Sequence, residues 1–147
     1  MKRSSIVAVV LGLLTTSCSL LPPTTVAISE ATGALVPTSR ILLPEFTSRP
    51  IGLSAKVVFL RDKGRGNSGC GNQVFVNDQQ VFTLYGGEYL ALYLAPGSYN
   101  FMIKPGNEGL CSFGPTLNKS TILVDGAEER YRLVFVQEDM KQHIIKI

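Results

Sequence analysis

The sequence predicts an all-β fold, a small antiparallel β-sandwich that follows an export signal and an extended tether. Three observations lead to this prediction. Beyond Ser54, short runs of β-prone residues alternate with Gly, Pro, Asn and Asp turns. No amphipathic helix of about 10 to 12 residues can be placed there. With 147 residues, 45% of them hydrophobic and 17% charged, the chain is sufficient for one folded domain with one core.

Residues 1–17 have the layout of a secretory signal peptide. Lys2 and Arg3 are followed by an apolar run from Ile6 to Leu14 and then by a short stretch of small polar residues. The apolar run is shorter than the roughly 20 residues needed to span a bilayer, which argues against a permanent transmembrane helix. We therefore expect residues 1–17 to be removed on export.

Cys18 directly follows the small residues, and this arrangement resembles the bacterial lipoprotein signal. The resemblance implies that its sulfur receives a diacylglycerol and that its freed amine is acylated. The family pattern prefers an aliphatic residue three places before the cysteine, where this chain has Thr15. The alternative is an ordinary signal peptide with a cysteine nearby. Ser19, which is not an aspartate, implies by resemblance to Gram-negative lipoproteins an outer-membrane location, with the domain facing the periplasm.

The next segment, residues 18–54, is expected to be a lipidated cysteine and an extended tether, because prolines interrupt a stretch rich in Thr and Ser. The prolines are Pro22, Pro23, Pro37, Pro44 and Pro50. An alternative holds for its later part, in which Ile41, Leu42, Leu43 and Phe46 lie along the domain as an edge strand.

Residues 55–147 are predicted to form the sandwich, since seven or eight short strands suit this architecture. The predicted strands are Lys56–Arg61, Gln73–Asn77, Gln80–Leu84, Glu88–Leu94, Ser98–Lys104, Ser120–Val124, Arg130–Gln137 and Lys141–Ile147. Because side chains alternate along a strand, three sets share faces and are the core candidates. These sets are Leu90, Leu92 and Leu94; Tyr99, Phe101 and Ile103; and Tyr131, Leu133 and Phe135. Tight turns are expected at Asn77-Asp78 and at Ala95-Pro96-Gly97.

The segments Val74–Asp78, Leu84–Tyr89 and Leu94–Tyr99 resemble an uncharacterised family of small bacterial envelope lipoproteins. That family combines an arginine-ended first strand, here Lys56–Arg61, with a short hairpin, a glycine before an aromatic strand and a Pro-Gly turn. The resemblance covers roughly residues 55–147 and implies a transthyretin-like or carboxypeptidase-regulatory-like sandwich. An immunoglobulin-like arrangement would accommodate the same number of strands. The family provides no catalytic residue to carry over.

Cys70 and Cys111 are predicted to form a disulfide. Export takes the chain to an oxidising compartment, and lipidation of Cys18 leaves two thiols for pairing. Each lies in a glycine-containing loop whose backbone can adapt to a bridge. Two buried free thiols, or a reactive thiol pair, are the alternatives.

The inventory of catalytic groups is small, and we predict a protein that is not an enzyme and uses no metal or cofactor. His143 is the single histidine, and a serine triad would have to use it near the end of the chain. A zinc site would require Cys70, Cys111, His143 and a carboxylate to converge without any of the usual short ligand spacings. A structural or surface role on the last strand is the preferred interpretation of His143.

The residues Gly64–Gly69 match the G-x-G-x-x-G pattern after a predicted strand. A dinucleotide site requires a helix to begin at these glycines, whereas a strand is predicted to follow, so a hairpin loop is favoured. Arg61, Lys63 and Arg65 form a small basic cluster that could contact lipid phosphates, although Asp62 lies inside it. A solvated loop is the preferred interpretation of these residues.

Together these features predict a non-enzymatic envelope lipoprotein whose sandwich binds another envelope protein or supports an envelope assembly. The expected partners are the membrane, through lipid on Cys18, and an envelope protein. The alternative is a periplasmic inhibitor or a carrier of a small ligand or lipid, with the disulfide-braced loop as its working part. Nucleic acid is not expected as a partner, because the net charge of +3 falls close to zero once Lys2 and Arg3 are removed.

Overall fold

The computed structural model describes residues 25–64, 69–107, 109–136 and 141–147, and these form two facing β-sheets. The strands are β1 Thr25–Val26, β2 Ala34–Leu35, β3 Ala55–Arg61, β4 Lys63–Gly64, β5 Asn72–Val76, β6 Gln79–Leu84, β7 Glu88–Leu94, β8 Gly97–Pro105, β9 Leu117–Leu123, β10 Glu128–Val136 and β11 Lys141–Lys146. Three short 3₁₀ helices lie at Thr38–Arg40, Pro44–Thr47 and Gly109–Ser112. The predicted all-β sandwich is confirmed.

One sheet has the order β11-β10-β3-β7-β2, the other β6-β5-β8-β9, and β1 pairs only with β4 among the described strands. The second sheet is antiparallel throughout. The first is mixed, because β10 runs parallel to β3. The chain leaves β9 in the other sheet and enters β10 beside the start of β3, where Ser54 N–H donates to Asp125 Oδ1 at 2.8 Å. Both strands therefore begin at the same end.

Each of the eight predicted strands corresponds to an observed one, with ends that differ by up to three residues. The β5–β6 hairpin turns at Asn77 and Asp78, whose φ angles are +46° and +68°. Positive φ at both central residues is the geometry that twisted hairpins favour, and Asn and Asp tolerate it better than most residues do. The turn prediction is thus confirmed with its physical reason.

The core lies between the sheets and is centred on aromatic side chains from both. Phe59 contacts Phe101 edge-on, with ring centroids 5.3 Å apart, and stacks on Tyr131 at 5.6 Å. Most of the predicted core is buried, namely Leu90, Leu92, Leu94, Phe101, Ile103, Tyr131 and Leu133. The exceptions are Tyr99 and Phe135, which are half-buried because they lie near the ends of the sandwich.

The predicted tether over residues 18–54 is corrected by the structure, because residues 25–54 contact the sandwich. Residues 25–36, called the arm below, cross the outer face of the first sheet. Ile28 is 3% exposed and packs on Val58 and Leu60 of β3. Val36 is 1% exposed and joins the main core. Burial of these apolar side chains outweighs the loop-forming tendency of the surrounding Pro, Thr and Ser.

Residues 36–47 close one side of the sandwich, as the alternative prediction proposed for Ile41 to Phe46. The backbone N–H of Leu42 donates to the carbonyl oxygen of Val81 at 2.7 Å, and Ile41 forms an isolated bridge with Phe82. The segment lies along the domain, but it is built from this bridge and two 3₁₀ helices rather than from a strand. Prolines at residues 37 and 44 are compatible with such an irregular path.

Candidate functional site

The two cysteines of the folded part form a disulfide, as the sequence predicts. Cys70 is bonded to Cys111, with 5.2 Å between their Cα atoms and a sequence separation of 41. The bridge joins the loop before β5 to the loop between β8 and β9. We call residues 69–71, 106–107 and 109–115 the disulfide end of the sandwich. Cys18, the predicted lipidation site, lies outside the described residues.

Arg61, the last residue of β3, supports the disulfide end from inside. It is 3% exposed, and its Nη1 donates to the carbonyl oxygens of Cys70 and of Leu84, the latter at 3.0 Å. Burial lowers the pKa of Arg61 to about 10, so the guanidinium remains charged near neutral pH. These two acceptors are backbone atoms, so Arg61 helps to position the loops around the disulfide.

The basic cluster expected around Arg61 is not a surface patch in its described part. Asp62 is buried like Arg61, and its Oδ1 accepts the backbone N–H of Ile28 at 3.2 Å. The same oxygen lies 3.5 Å from Nε of Arg132. Only Lys63 points to solvent among the described members of the cluster. Asp62 therefore holds the arm at Ile28, and the buried side chains of Arg61 and Asp62 are not displayed at the surface.

His143 lies on β11 opposite Val134 of β10 and is half-buried. In residues 25–64, 69–107, 109–136 and 141–147, no group of three or more His, Cys, Asp and Glu side chains could hold a metal ion. No helix in this described part is long and apolar enough to cross a membrane.

The glycine pattern is followed by a strand, as the sequence predicts. Gly64 ends β4, residues 65–68 lie outside the described part, and β5 starts at Asn72. A pyrophosphate site needs the exposed backbone N–H groups at the start of a helix. The described residues after Gly69 form no such helix, so the pattern has no nucleotide-binding context here.

Arg40 fastens the closing segment to the sandwich. Its guanidinium donates to both carboxylate oxygens of Glu88, at 2.5 and 2.8 Å, and to the carbonyl oxygen of Thr83 at 3.1 Å. It also lies over the ring of Tyr85, with 4.6 Å from Cζ to the ring centroid. The hydrogen bonds with Glu88 raise the pKa of Arg40 despite some burial. A bidentate, partly buried pair of this kind fixes geometry more firmly than an exposed ion pair.

The other side of the sandwich is open and is bordered by β9 and β11. Strand β9 pairs with β8 from Leu117 to Leu123, and no strand in the described part of the chain pairs with its second edge. The edge of β6, in contrast, is covered by Ile41 and Leu42, and β2 is only two residues long. The longest uncovered edge among the described strands therefore belongs to β9.

A shallow groove of about 470 Å³ runs along β8 and β9 on their outer face. It is lined by Asn77, Ser98, Tyr99, Asn100, Ser120, Thr121 and Ile122. Ile122 is 73% exposed, while Tyr99 is half-buried and donates its hydroxyl to the carbonyl oxygen of Ala95 at 2.9 Å. The groove thus offers apolar contacts beside small polar groups along an uncovered strand edge.

Glu129 of β10 connects the two sheets behind this edge. It accepts hydrogen bonds from Tyr131 Oη at 2.6 Å, from Thr121 Oγ1 at 3.0 Å and from Lys146 Nζ at 2.5 Å. Burial favours a higher pKa for Glu129, but these bonds outweigh it and the pKa lies below its usual value. Burial also raises the pKa of Tyr131. The contacts hold β9 against the other sheet, so its edge is rigidly supported.

Several residues at these sites were missed in the sequence. Arg40 and Glu88 are 48 positions apart, and no local pattern joins them. Ile28 and Val36 could have been noticed, because a free tether has no need of bulky apolar residues and these two lie within a Pro- and Thr-rich stretch. The uncovered edge of β9 depends on which strands become neighbours, and strand composition carries no signal for that.

The chain was compared with known proteins. No protein-family model matches the sequence, and no curated protein matches it either. The resemblance to small envelope lipoproteins stays a prediction.

Proposed function

We propose that this chain is a non-enzymatic bacterial envelope lipoprotein, held in the outer membrane by lipid on Cys18, whose sandwich binds another envelope protein. The order of basic, apolar and small residues before Cys18 supports the anchor. The observation that carries the binding role is the uncovered edge of β9, seven residues long and supported from behind by Glu129. Unpaired backbone groups at such an edge can hydrogen-bond an added strand.

The side chains of β9 favour pairing with a partner more than those of β11 do. Its outward side chains, at Asn118, Ser120 and Ile122, are uncharged and exposed. Lysines occupy both ends of β11, at Lys141 and Lys146, and lysine is a common means of protecting a sheet edge. Strand β9 has a single lysine, Lys119. It lies on the face opposite to Ser120, so it does not protect the outer face of the edge. These features support pairing of an extended partner segment with β9 rather than with β11.

Strand addition would give specificity through the groove beside the edge. Backbone hydrogen bonds provide sequence-independent affinity, and alternate side chains of the added strand enter neighbouring pockets. Ile122 supplies exposed apolar surface, while Ser120 and Asn100 supply hydrogen-bonding groups. The proposed partner thus presents an extended segment with apolar residues on alternate positions.

Lipidation is tested by feeding cells a fatty-acid analogue. The wild type should be labelled and Cys18→Ala should not, because the acylated thiol and amine both belong to this residue. Persistent labelling of Cys18→Ala would contradict the anchor. The result is independent of any partner, so it separates the two parts of the proposal.

Partner binding is tested by placing a photoreactive residue at Ile122 in the native envelope. A crosslinked envelope protein of defined stoichiometry is expected there, and the matched control is the same probe at exposed Leu42 on the closed side. Crosslinks that are equal at both sites, or absent at Ile122, would contradict binding at β9. Capture of a hydrolase at the disulfide end instead would favour the inhibitor function.

A further inference from the structure

Two large apolar side chains project from the loop that the disulfide braces. Leu110 and Phe113 are 86% and 74% exposed, and they lie on either side of Cys111. A short 3₁₀ helix shapes the loop, and Ser112 Oγ donates to the carbonyl oxygen of Gly109 at 2.9 Å. Scattered exposed apolar residues are normal, but two within four positions of a covalently fixed loop form a defined apolar tip.

The loop is held rigidly against its neighbour. A Cβ atom added at Gly106 would lie 2.9 Å from the carbonyl oxygen of Gly71, so the two backbones approach closely there. The disulfide from Cys70 to Cys111 joins the same two loops, and Arg61 supports Cys70 from inside. The apolar tip, defined as Leu110 and Phe113, is therefore presented without a large ordering cost on contact.

The arm enters the structure at this same end. Thr25 pairs with Gly64, which lies beyond Arg61 at the end of β3, and Arg61 contacts Cys70. Cys18 precedes Thr25 by seven positions, and a fully extended chain of that length reaches at most about 25 Å. Nine-residue β8 alone spans roughly 27 Å. With the arm in place, lipid on Cys18 can hold the disulfide end on the bilayer but not the opposite end.

We propose that Leu110 and Phe113 insert into the surface of the bilayer that holds Cys18, so that the domain sits with its disulfide end on the membrane. This inference rests on the proposed lipidation of Cys18. Acyl chains on Cys18 supply the affinity, and the apolar tip fixes the orientation. Apolar side chains at a membrane interface are buried by roughly 5 to 10 Å, a depth that one exposed loop can reach.

The orientation has a consequence for partner binding. The strands run between the disulfide end and the opposite end, where Ala55 pairs with Leu94. With the disulfide end on the bilayer, β9 runs roughly along the membrane normal, and its free edge faces parallel to the membrane surface. An extended segment from a neighbouring envelope protein can then approach β9 without displacing lipid.

Tryptophan fluorescence tests this seating, since the chain contains no tryptophan of its own. Full-length, lipidated Phe113→Trp is placed in vesicles of phosphatidylcholine with brominated acyl chains. We expect blue-shifted emission and at least about twofold quenching relative to unbrominated vesicles. The matched control is Ile51→Trp, which is fully exposed at the opposite end and should show neither change. Leu110→Asp in the Phe113→Trp background should reduce the quenching.

The outcomes separate this inference from the proposed function. Quenching of Phe113→Trp alone supports the seating. Fatty-acid labelling of Cys18 without quenching at Phe113, or equal quenching at Phe113 and Ile51, overturns the seating and leaves the anchor intact. Absence of fatty-acid label overturns the anchor, and the seating with it, because the reach argument starts at Cys18.

Discussion

The disulfide is the feature at residue scale that the sequence predicts best, because a count of thiols after lipidation leaves two. The same count cannot show Arg61 behind it. A strand-ending arginine is normally read as exposed, and only the tertiary structure places the carbonyl oxygens of Cys70 and Leu84 around its guanidinium. Buried polar groups of this kind are satisfied by distant backbone atoms, which local patterns do not report.

The bridge predicts equal effects of single and double cysteine substitutions. Cys70→Ala, Cys111→Ala and the double variant all remove the same crosslink, which closes a segment of 41 positions. The chain-entropy model gives about 4 kcal/mol for a loop of that length. Each variant should therefore lose on the order of 15 °C in Tm, measured by thermal melting without reductant.

Wild-type protein in reductant is the control for the cysteine variants and should melt with them. Two titratable thiols in unreduced, denatured wild type would show that the bridge does not form. A single variant that melts like the wild type would show that the bridge contributes no stability.

At the scale of elements, alternation predicts the strands of the sandwich, while the arm shows where composition misleads. Ile28 and Val36 are isolated among Pro, Thr and Ser, so no periodicity marks them, yet both are buried. The parallel pairing of β3 with β10 was also not predictable, because it joins residues more than 70 positions apart. The local pattern of a segment predicts whether it forms a strand, whereas the strand with which it pairs depends on packing in the whole core.

The arm should loosen in acid because Glu30 fixes it to the sheet. Glu30 Oε1 accepts from Lys56 Nζ at 2.9 Å, and this hydrogen bond holds the pKa of Glu30 below its usual 4.5. A lowered carboxyl pKa stabilises the fold above pH 4.5, and the stabilisation is lost as pH falls through the folded-state pKa. The protection of the amides in residues 25–36, measured as exchange rates corrected for the intrinsic pH dependence of exchange, should therefore fall below about pH 4.5.

Glu30→Gln should remove most of this pH dependence in the arm, and Glu45→Gln should leave it unchanged. Exchange must be measured in the arm itself, because the pKa of Glu129 is also lowered and protonation of Glu129 would destabilise the whole fold in acid. An arm whose exchange has the same pH dependence in wild type and Glu30→Gln would contradict the role of this contact.

Proline substitution separates the two edges of β9. Successive backbone N–H groups of a strand point to opposite sides, so one of Lys119→Pro and Ser120→Pro removes a hydrogen bond to β8 and the other does not. The variant that loses the hydrogen bond to β8 should melt several degrees lower. The variant that keeps this hydrogen bond should retain most of the wild-type Tm but lose the crosslink at Ile122, since its proline blocks the free edge.

Proline variants that both retain the crosslink at equal protein level would show that strand addition does not occur on β9. Lys119→Ala serves as the control, because it keeps the backbone donor, its side chain lies on the face opposite to the groove, and it should behave like the wild type in both measurements.

At the scale of the whole molecule, the arm limits how far the domain can lie from the proposed anchor at Cys18. A free tether over residues 18–54 would allow many orientations, whereas the observed arm begins at Thr25, only seven positions after Cys18. The arm is fixed by Ile28 in its pocket on Val58 and Leu60, and Arg132 Nη2 donates to the carbonyl oxygen of Ile28 at 3.1 Å. If Cys18 is the anchor as proposed, the reach and orientation of the domain depend on a contact that composition did not indicate.

Releasing the arm should lift the domain off the bilayer. Ile28→Asp places an uncompensated charge in an apolar site, which favours detachment of the arm up to β2 and more than doubles the free chain after Cys18. In the Phe113→Trp background, quenching by brominated lipid should fall to less than half, while fatty-acid labelling of Cys18 stays at the wild-type level. Ile28→Val, which keeps the apolar contact, should retain the quenching. Unchanged quenching in Ile28→Asp, with the arm shown by amide exchange to be detached, would mean that the apolar tip alone fixes the orientation and that the arm does not set the reach.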